Sequence, residues 1–205
     1  ELGLSDRLRA PALAEAVEET LRRSGLGRAR IRLTISGGDL NLLTSGKSVE
    51  PTVLIVAQPA TEYPPDMFER GVLATIADLR TNPLDPMAGH KTLNYWGRLR
   101  ELQAAAAKKA GEALVFQVTN HLAGGCVSNA FLVKDGKLLT PIVRGEEATG
   151  PAVPSPVLPG VTRGWTLEWA SQEQIPVEKR MLAIADVLGA DEVFLTNSSW
   201  GVLPV

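Results

Sequence analysis

The strongest constraint on the fold lies between Thr92 and Ala110. This stretch carries an alanine run, Ala104 to Ala107, with Leu99 and Leu102 supplying apolar contacts, and Gly111 ends it; that composition favours a helix. Strand-like segments lie on both sides, Gly71 to Leu79 before it and Ala113 to Val118 after it. Helices interleaved with strands place the chain among α/β folds.

The remaining segments extend this pattern. Leu13, Val17 and Leu21 recur four residues apart with Glu15, Glu18, Glu19, Arg22 and Arg23 around them, which predicts an amphipathic helix over 11–24 stopped by Gly25 and Gly27. Ala29 to Ile35 alternates small or apolar with polar residues, as a half-buried strand does. Gly37-Gly38-Asp39 turns the chain, and the apolar run Thr52 to Ala57 predicts a fully buried strand. Asn129 to Val133 and Lys137 to Leu139 read as strands joined by a tight Asp135-Gly136 turn. Five prolines between Pro141 and Pro159 mark a long loop. Helices are expected over about 162–171 and 178–188, then a strand at Glu192 to Thr196. Pro83, Pro86 and Gly89 suggest a linker at 81–90 between a small domain, 1–80, and a large one, 91–205.

Charge and cysteine content remove several classes of function. The 205 residues hold 21 Lys+Arg against 23 Asp+Glu, a formal charge of -2, so no electrostatic case exists for nucleic acid or an acidic membrane surface. One cysteine, Cys126, excludes a disulfide framework and a multi-cysteine zinc site. No apolar run approaches the ~20 residues of a membrane helix, and the N-terminal residues do not read as a signal peptide. The expectation is a soluble, cytoplasmic protein.

Four segments are candidates for chemistry. Lys91, beside His90, follows the linker; a lysine desolvated there becomes nucleophilic toward an aldehyde, although most lysines are solvated surface charges. Leu158-Pro159-Gly160-Val161-Thr162-Arg163 opens a helix, and free N–H groups at such an end seat a phosphate, or simply belong to a capped helix. Thr196-Asn197-Ser198-Ser199-Trp200-Gly201 follows a strand and suits a second arm around an anion, or an ordinary loop. Gly124-Gly125, ahead of Cys126 and Ser128-Asn129, permits close backbone approach to a ligand, or a turn. His90 and His121 are not at metal-ligand spacing, so no metal site is expected. Trp96, Trp165, Trp169 and Trp200 read as core or interface anchors.

Taken in order, Lys91-Thr92-Leu93-Asn94-Tyr95, Ser128-Asn129-Ala130-Phe131, Asp135-Gly136, Thr140-Pro141, Leu158 to Arg163, Asp191 to Thr196 and Pro204-Val205 resemble the large-domain signature of the class IV aminotransferases. Arg30 to Gly38 and Tyr63 to Gly71 resemble its small domain. The family has pyridoxal phosphate fold type IV and includes branched-chain aminotransferases, D-amino-acid aminotransferases and 4-amino-4-deoxychorismate lyases. The resemblance implies a two-domain α/β (α+β) fold shortened at both ends relative to the family, a homodimer, and pyridoxal 5'-phosphate as cofactor. The activity implied is transfer of an amino group between an amino acid and a 2-oxo acid, with the lyase or a non-catalytic relative as alternatives.

Residue by residue, Lys91 matches the lysine that binds the cofactor covalently and moves a proton between substrate Cα and cofactor C4′. Tyr95 matches the tyrosine that hydrogen-bonds the cofactor phenolate oxygen. Val161 and Thr162 match the helix end holding the phosphate; Asn197 and Ser198 match the second phosphate loop, and Ser199 the substrate carboxylate site. Asn197 leans toward the lyase branch. Gly124 stands where the family has a glutamate paired with the pyridine nitrogen, so where that missing partner limits the reaction Gly124→Glu is expected to raise activity. The loop from Arg144 to Pro159 is longer than the family leads one to expect.

Overall fold

The computed structural model describes residues 8–38, 50–147 and 153–205. Asp39 of the expected turn and residues 148–152 of the long loop lie outside the described residues. The chain forms two compact units, Glu1–Glu62 and Tyr63–Val205.

In the first unit, α1 (Ala10–Ser24) begins with proline in its first turn and ends at Gly25, whose left-handed φ of 68° lets its N–H reach the Arg22 carbonyl. Strands β1 (Ala29–Ser36) and β2 (Thr52–Pro59) pair antiparallel, from Ala29 opposite Pro59 to Ser36 opposite Thr52. The apolar run in β2 was expected to be fully buried, and it is not: Val53 and Leu54 are exposed. The two strands and one helix that the described residues of this unit form are too few to cover both faces of the sheet.

The second unit places α2 (Asp66–Glu69) ahead of β3 (Ala74–Thr81), α3 (Trp96–Ala107), β4 (Glu112–Gln117) and β5 (Leu122–Gly125). Strands β3 and β4 pair in parallel and β5 returns antiparallel to β4; α3 is the crossover that a parallel pair requires. A second sheet has five strands in the order β10 (Gly201–Pro204), β9 (Glu192–Asn197), β6 (Asn129–Lys134), β7 (Lys137–Thr140), β8 (Val177–Lys179). Helices α4 (Val161–Gln172) and α5 (Ile184–Leu188) complete the unit.

Strand β4 is buried along its whole length and serves two cores through its period of two. Leu114 and Phe116 join Leu122, Ala130, Leu132, Leu182 and Leu195. Ala113 and Val115 pack with Ala77, Ala105, Ala110 and Cys126. The hairpin β6–β7 turns at Asp135 and Gly136, both at positive φ, as a two-residue hairpin loop demands. Asp191 fastens it by accepting from the Asp135 N–H at 2.9 Å and Lys134 Nζ at 3.1 Å.

Several expectations need correction. Helix α3 starts at Trp96 rather than Thr92, so Lys91 to Tyr95 lie ahead of it. The helix expected over 178–188 is instead β8 followed by the short α5. Here the Leu138 N–H bonds the Pro176 carbonyl, the Arg180 N–H the Thr140 carbonyl and the Leu122 N–H the Leu182 carbonyl, and Leu182 is fully buried. Pairing with distant strands overrides the local helical pattern. Strands β5 and β10 had no clear signal, and β3 begins three residues later than the apolar pattern suggests. The 81–90 stretch lies inside the second unit, with β3 before it paired to β4 after it. Trp96, Trp165 and Trp169 are exposed rather than core, while Trp200 packs edge-on against Tyr63 at 6.1 Å. Among the described residues no helix is long and apolar enough to cross a membrane.

Candidate active site

The site is built within the second unit around the turn 124–129. Lys91 sits on an irregular segment shaped by close bonds: His90 N–H to the Met87 carbonyl, Thr92 N–H to the His90 carbonyl and Tyr95 N–H to the Leu93 carbonyl. Gly89 begins it at a φ of 78°, where a Cβ would lie 2.8 Å from the Ser155 carbonyl oxygen. Lys91 is exposed rather than desolvated. Its Nζ donates to Tyr95 Oη at 3.4 Å and lies 4.5 Å from the centroid of the Tyr95 ring, so hydroxyl and π face both hold the ammonium in place.

One helical turn beyond Tyr95, Arg98 donates from Nη1 to the Gly125 carbonyl at 3.1 Å and the Cys126 carbonyl at 3.3 Å. Its guanidinium carbon is 6.0 Å from the Tyr95 ring centroid. Arg98 thus ties the lysine–tyrosine pair to the glycine turn. From inside, fully buried Glu112 holds the same turn. Its carboxylate accepts from the Ala113 N–H at 3.0 Å, the Cys126 N–H at 3.1 Å, the Val127 N–H at 3.4 Å and Ser128 Oγ at 2.9 Å. Burial raises the Glu112 pKa, and these four donors oppose the rise.

The glycine pair allows close approach, but what approaches is protein. At Gly125 a Cβ would overlap Ser128 Oγ and lie 2.8 Å from Glu112 Oε2. Gly124 has a φ of 135°, and a Cβ there would lie 2.7 Å from the Ser128 carbonyl oxygen. The expectation that Gly124→Glu restores an acid is therefore corrected: this backbone does not accept a side chain at 124 without rebuilding the turn.

Asn129 connects the turn to α4. Its Nδ2 donates to the Leu158 carbonyl at 2.8 Å, and its Oδ1 would overlap a Cβ at Gly160. Gly160 is the extended N-cap, φ -72° and ψ 141°, and no side chain caps it. The first-turn amides at Val161 and Thr162 therefore stand at a helix end whose partial positive charge favours an anion. Thr162 is the second residue of the helix, and its carbonyl accepts from Thr166 Oγ1. Arg163, 3% exposed, anchors this end by donating to Pro141 O at 3.1 Å, Thr140 Oγ1 at 3.3 Å and Glu146 at 2.8 Å. Lys179 reaches the other oxygen of Glu146 at 2.7 Å. Burial alone would raise the Glu146 pKa, but the bonds from Arg163 and Lys179 outweigh it and pull it to about 2.

Asn197 connects the turn to the loop after β9. Its Oδ1 accepts from the Ser199 and Trp200 N–H groups at 2.8 and 3.0 Å, and its Nδ2 donates to the Val127 carbonyl at 3.4 Å. Ser198 and Ser199 are exposed on the loop so held. Lys91 and Tyr95 are thus in direct contact, and Gly124, Val161, Thr162 and Asn197 to Ser199 belong to segments joined through the 124–129 turn. Sequence reasoning missed Arg98, Glu112 and the bridging task of Asn129. Arg98 carried a usable signal, being three residues past Tyr95 on one helical face; so did Glu112, an acid directly ahead of the apolar run Ala113 to Phe116.

The pattern of the amino-transferase class IV family matches residues 1–205. A Methanocaldococcus jannaschii protein named as a branched-chain-amino-acid aminotransferase is 32% identical over 196 residues, covering 94% of this chain and 63% of the relative. The aminodeoxychorismate lyase of Vibrio harveyi is 31% identical over 196 residues, covering 93% of this chain and 66% of the relative. The crystal structure of 4-amino-4-deoxychorismate lyase from Pseudomonas aeruginosa superposes with a TM-score of 0.82 at 26% identity, over 97% of this chain and 69% of that one. The chain thus spans under two thirds of the length of these two sequence relatives, and by pattern, sequence and fold it belongs to the class IV aminotransferase family.

Proposed function

We propose that this protein acts with pyridoxal 5'-phosphate to move an amino group between an amino acid and a 2-oxo acid. The observation that carries the reading is Lys91 Nζ held at 3.4 Å from Tyr95 Oη, on a segment linked through Arg98 and Asn129 to an uncapped helix N-terminus. An amine, a phenol and an anion seat on one scaffold match what an aldehyde-bearing phosphate ester requires. The match does not extend to the pyridine nitrogen. Gly124 offers no acid there, and Glu112 spends its carboxylate on four donors inside the fold.

When bound, the cofactor supplies the carbonyl that condenses with amines and the ring that delocalises charge from the substrate Cα. The protein's own groups do the rest. Lys91 binds the cofactor and, once released, carries the proton at the substrate Cα. Tyr95 orients the Lys91 amine through its hydroxyl and ring. The Val161 and Thr162 amides hold the phosphate, and the 197–199 loop, shaped by Asn197, presents Ser198 to the phosphate and Ser199 to the substrate carboxylate. A homodimer is part of the reading through family membership.

A lyase that eliminates pyruvate from aminodeoxychorismate is the second reading, favoured by Asn197 and by the likeness to lyase sequences and folds. The test begins with a visible absorption spectrum after addition of pyridoxal phosphate, then borohydride reduction and mapping of the modified peptide. A band with the label on Lys91 supports the reading; no band and no label removes it. Conversion of the cofactor to its pyridoxamine form by an amino acid marks the aminotransferase. Pyruvate release with the cofactor left as the aldehyde marks the lyase.

A further inference from the structure

A heavily bonded buried group outside the proposed chemistry is the Glu112 carboxylate. It lies at the start of β4, fully buried, and gathers two N–H groups and a hydroxyl from Cys126, Val127 and Ser128, besides the Ala113 N–H next to it. A buried carboxylate is costly unless its oxygens are satisfied, and here the turn satisfies them. The bonds in return fix the direction of three consecutive residues. Gly125 has no side chain because Ser128 Oγ and Glu112 Oε2 occupy that space. On the opposite edge Arg98 takes the two carbonyls, Gly125 O and Cys126 O. The turn is therefore gripped through its N–H groups by an acid and through its carbonyls by a base.

We infer that Glu112, working with Arg98, is a positioning residue of the active site: it sets the one turn on which the lysine–tyrosine pair and the anion seat are both hung. Asn129 follows the gripped residues directly and holds Leu158 ahead of the α4 N-terminus. Val127 accepts from Asn197, and Arg98 sits one helical turn from Tyr95. Loosening the turn would shift the anion seat relative to Lys91. Glu112 touches neither cofactor nor substrate; it acts through residues 125–129.

This inference rests on the proposed cofactor site, and the test separates the two. Glu112→Gln keeps the size of the side chain but replaces one acceptor oxygen by a donor, which faces the Val127 N–H and leaves it unpaired. In amide hydrogen exchange, which needs no cofactor, Val127 is expected to exchange at least about tenfold faster in Glu112→Gln, the effect of losing a bond to a charged acceptor. In the loaded protein, affinity for pyridoxal phosphate is expected to fall about tenfold. Visible circular dichroism per bound cofactor should also fall, at temperatures where the variant stays folded. Ser128→Ala removes a single one of these bonds and covers the case in which Glu112→Gln does not fold; about a threefold loss of affinity is expected. Unchanged exchange at Val127 overturns the inference. So does faster exchange with unchanged cofactor affinity and dichroism, which would make Glu112 structural only. If the unaltered protein takes no label on Lys91, the cofactor reading fails and the positioning role falls with it, whereas the exchange result still reports whether the grip exists.

Discussion

Asn129 Nδ2 donates to the Leu158 carbonyl at 2.8 Å, and this sets its amide oxygen so close to the α carbon of Gly160 that a Cβ there would overlap it. The glycine ahead of α4 answers to a strand residue more than to backbone geometry, since its φ of -72° suits any residue. Gly160→Ala is expected to cost about 1–3 kcal/mol by overpacking. The same change made in Asn129→Ala should cost less, because the clashing oxygen is gone. Denaturant unfolding of the four proteins in the cycle measures the coupling, and strictly additive losses would separate the two residues.

Gly124→Glu follows a different logic, because both space and backbone oppose it. The φ of 135° and the Ser128 carbonyl 2.7 Å from the Cβ position predict a loss of about 1–3 kcal/mol from strain, with no gain in turnover. Thermal unfolding and an activity assay made side by side check this. A variant as stable as the parent and more active would show that the turn rebuilds around the new acid.

What could be read from the chain was what neighbouring residues settle among themselves. The Asp135-Gly136 turn, the helix at 10–24 and the strand at 29–36 needed only local periodicity and the left-handed tolerance of glycine. The 178–188 region failed because its partners, Thr140 and Leu122, lie some 40 to 60 residues away in a chain whose local pattern alone favoured a helix. Glu112 went unread for the same reason, three of its four donors being 14 to 16 residues further on. Lys91 and Tyr95 show a midway case. They meet on an irregular segment before α3, and the family pattern rather than periodicity singled them out.

Acid should act on the α4 end through Glu146. The folded pKa of about 2 lies below the ordinary 4.5, so the Glu146 contribution is complete above pH 4.5 and is lost as pH falls toward 2. Asp186, lowered by Arg180, and Asp191, lowered by the Asp135 N–H, add loss of the same sign. Glu112, raised by burial, acts in the opposite sense. Urea unfolding from pH 6 to 2 should therefore show stability falling through that window, with a shallower fall in Glu146→Gln. Equal slopes in the two proteins would remove Glu146 from the account.

Cys126 offers a probe of the turn itself. Burial, reinforced by the nearby Glu112 charge, pushes its thiol from 9.0 up to about 12, and the side chain is buried. Only the thiolate reacts with iodoacetamide or a disulfide reagent, and at pH 8 a thiol of that pKa is ionised to about one part in 10⁴. Native protein at pH 8 should therefore label at least about a thousandfold more slowly than protein in denaturant, by the product of low ionisation and burial. In Glu112→Gln the opposing charge is gone and the Val127 amide loses its acceptor, so labelling should accelerate while the protein remains folded. If the native thiol reacts as fast as the unfolded one, Cys126 is open to solvent and the packing beneath α3 is looser than the structure describes.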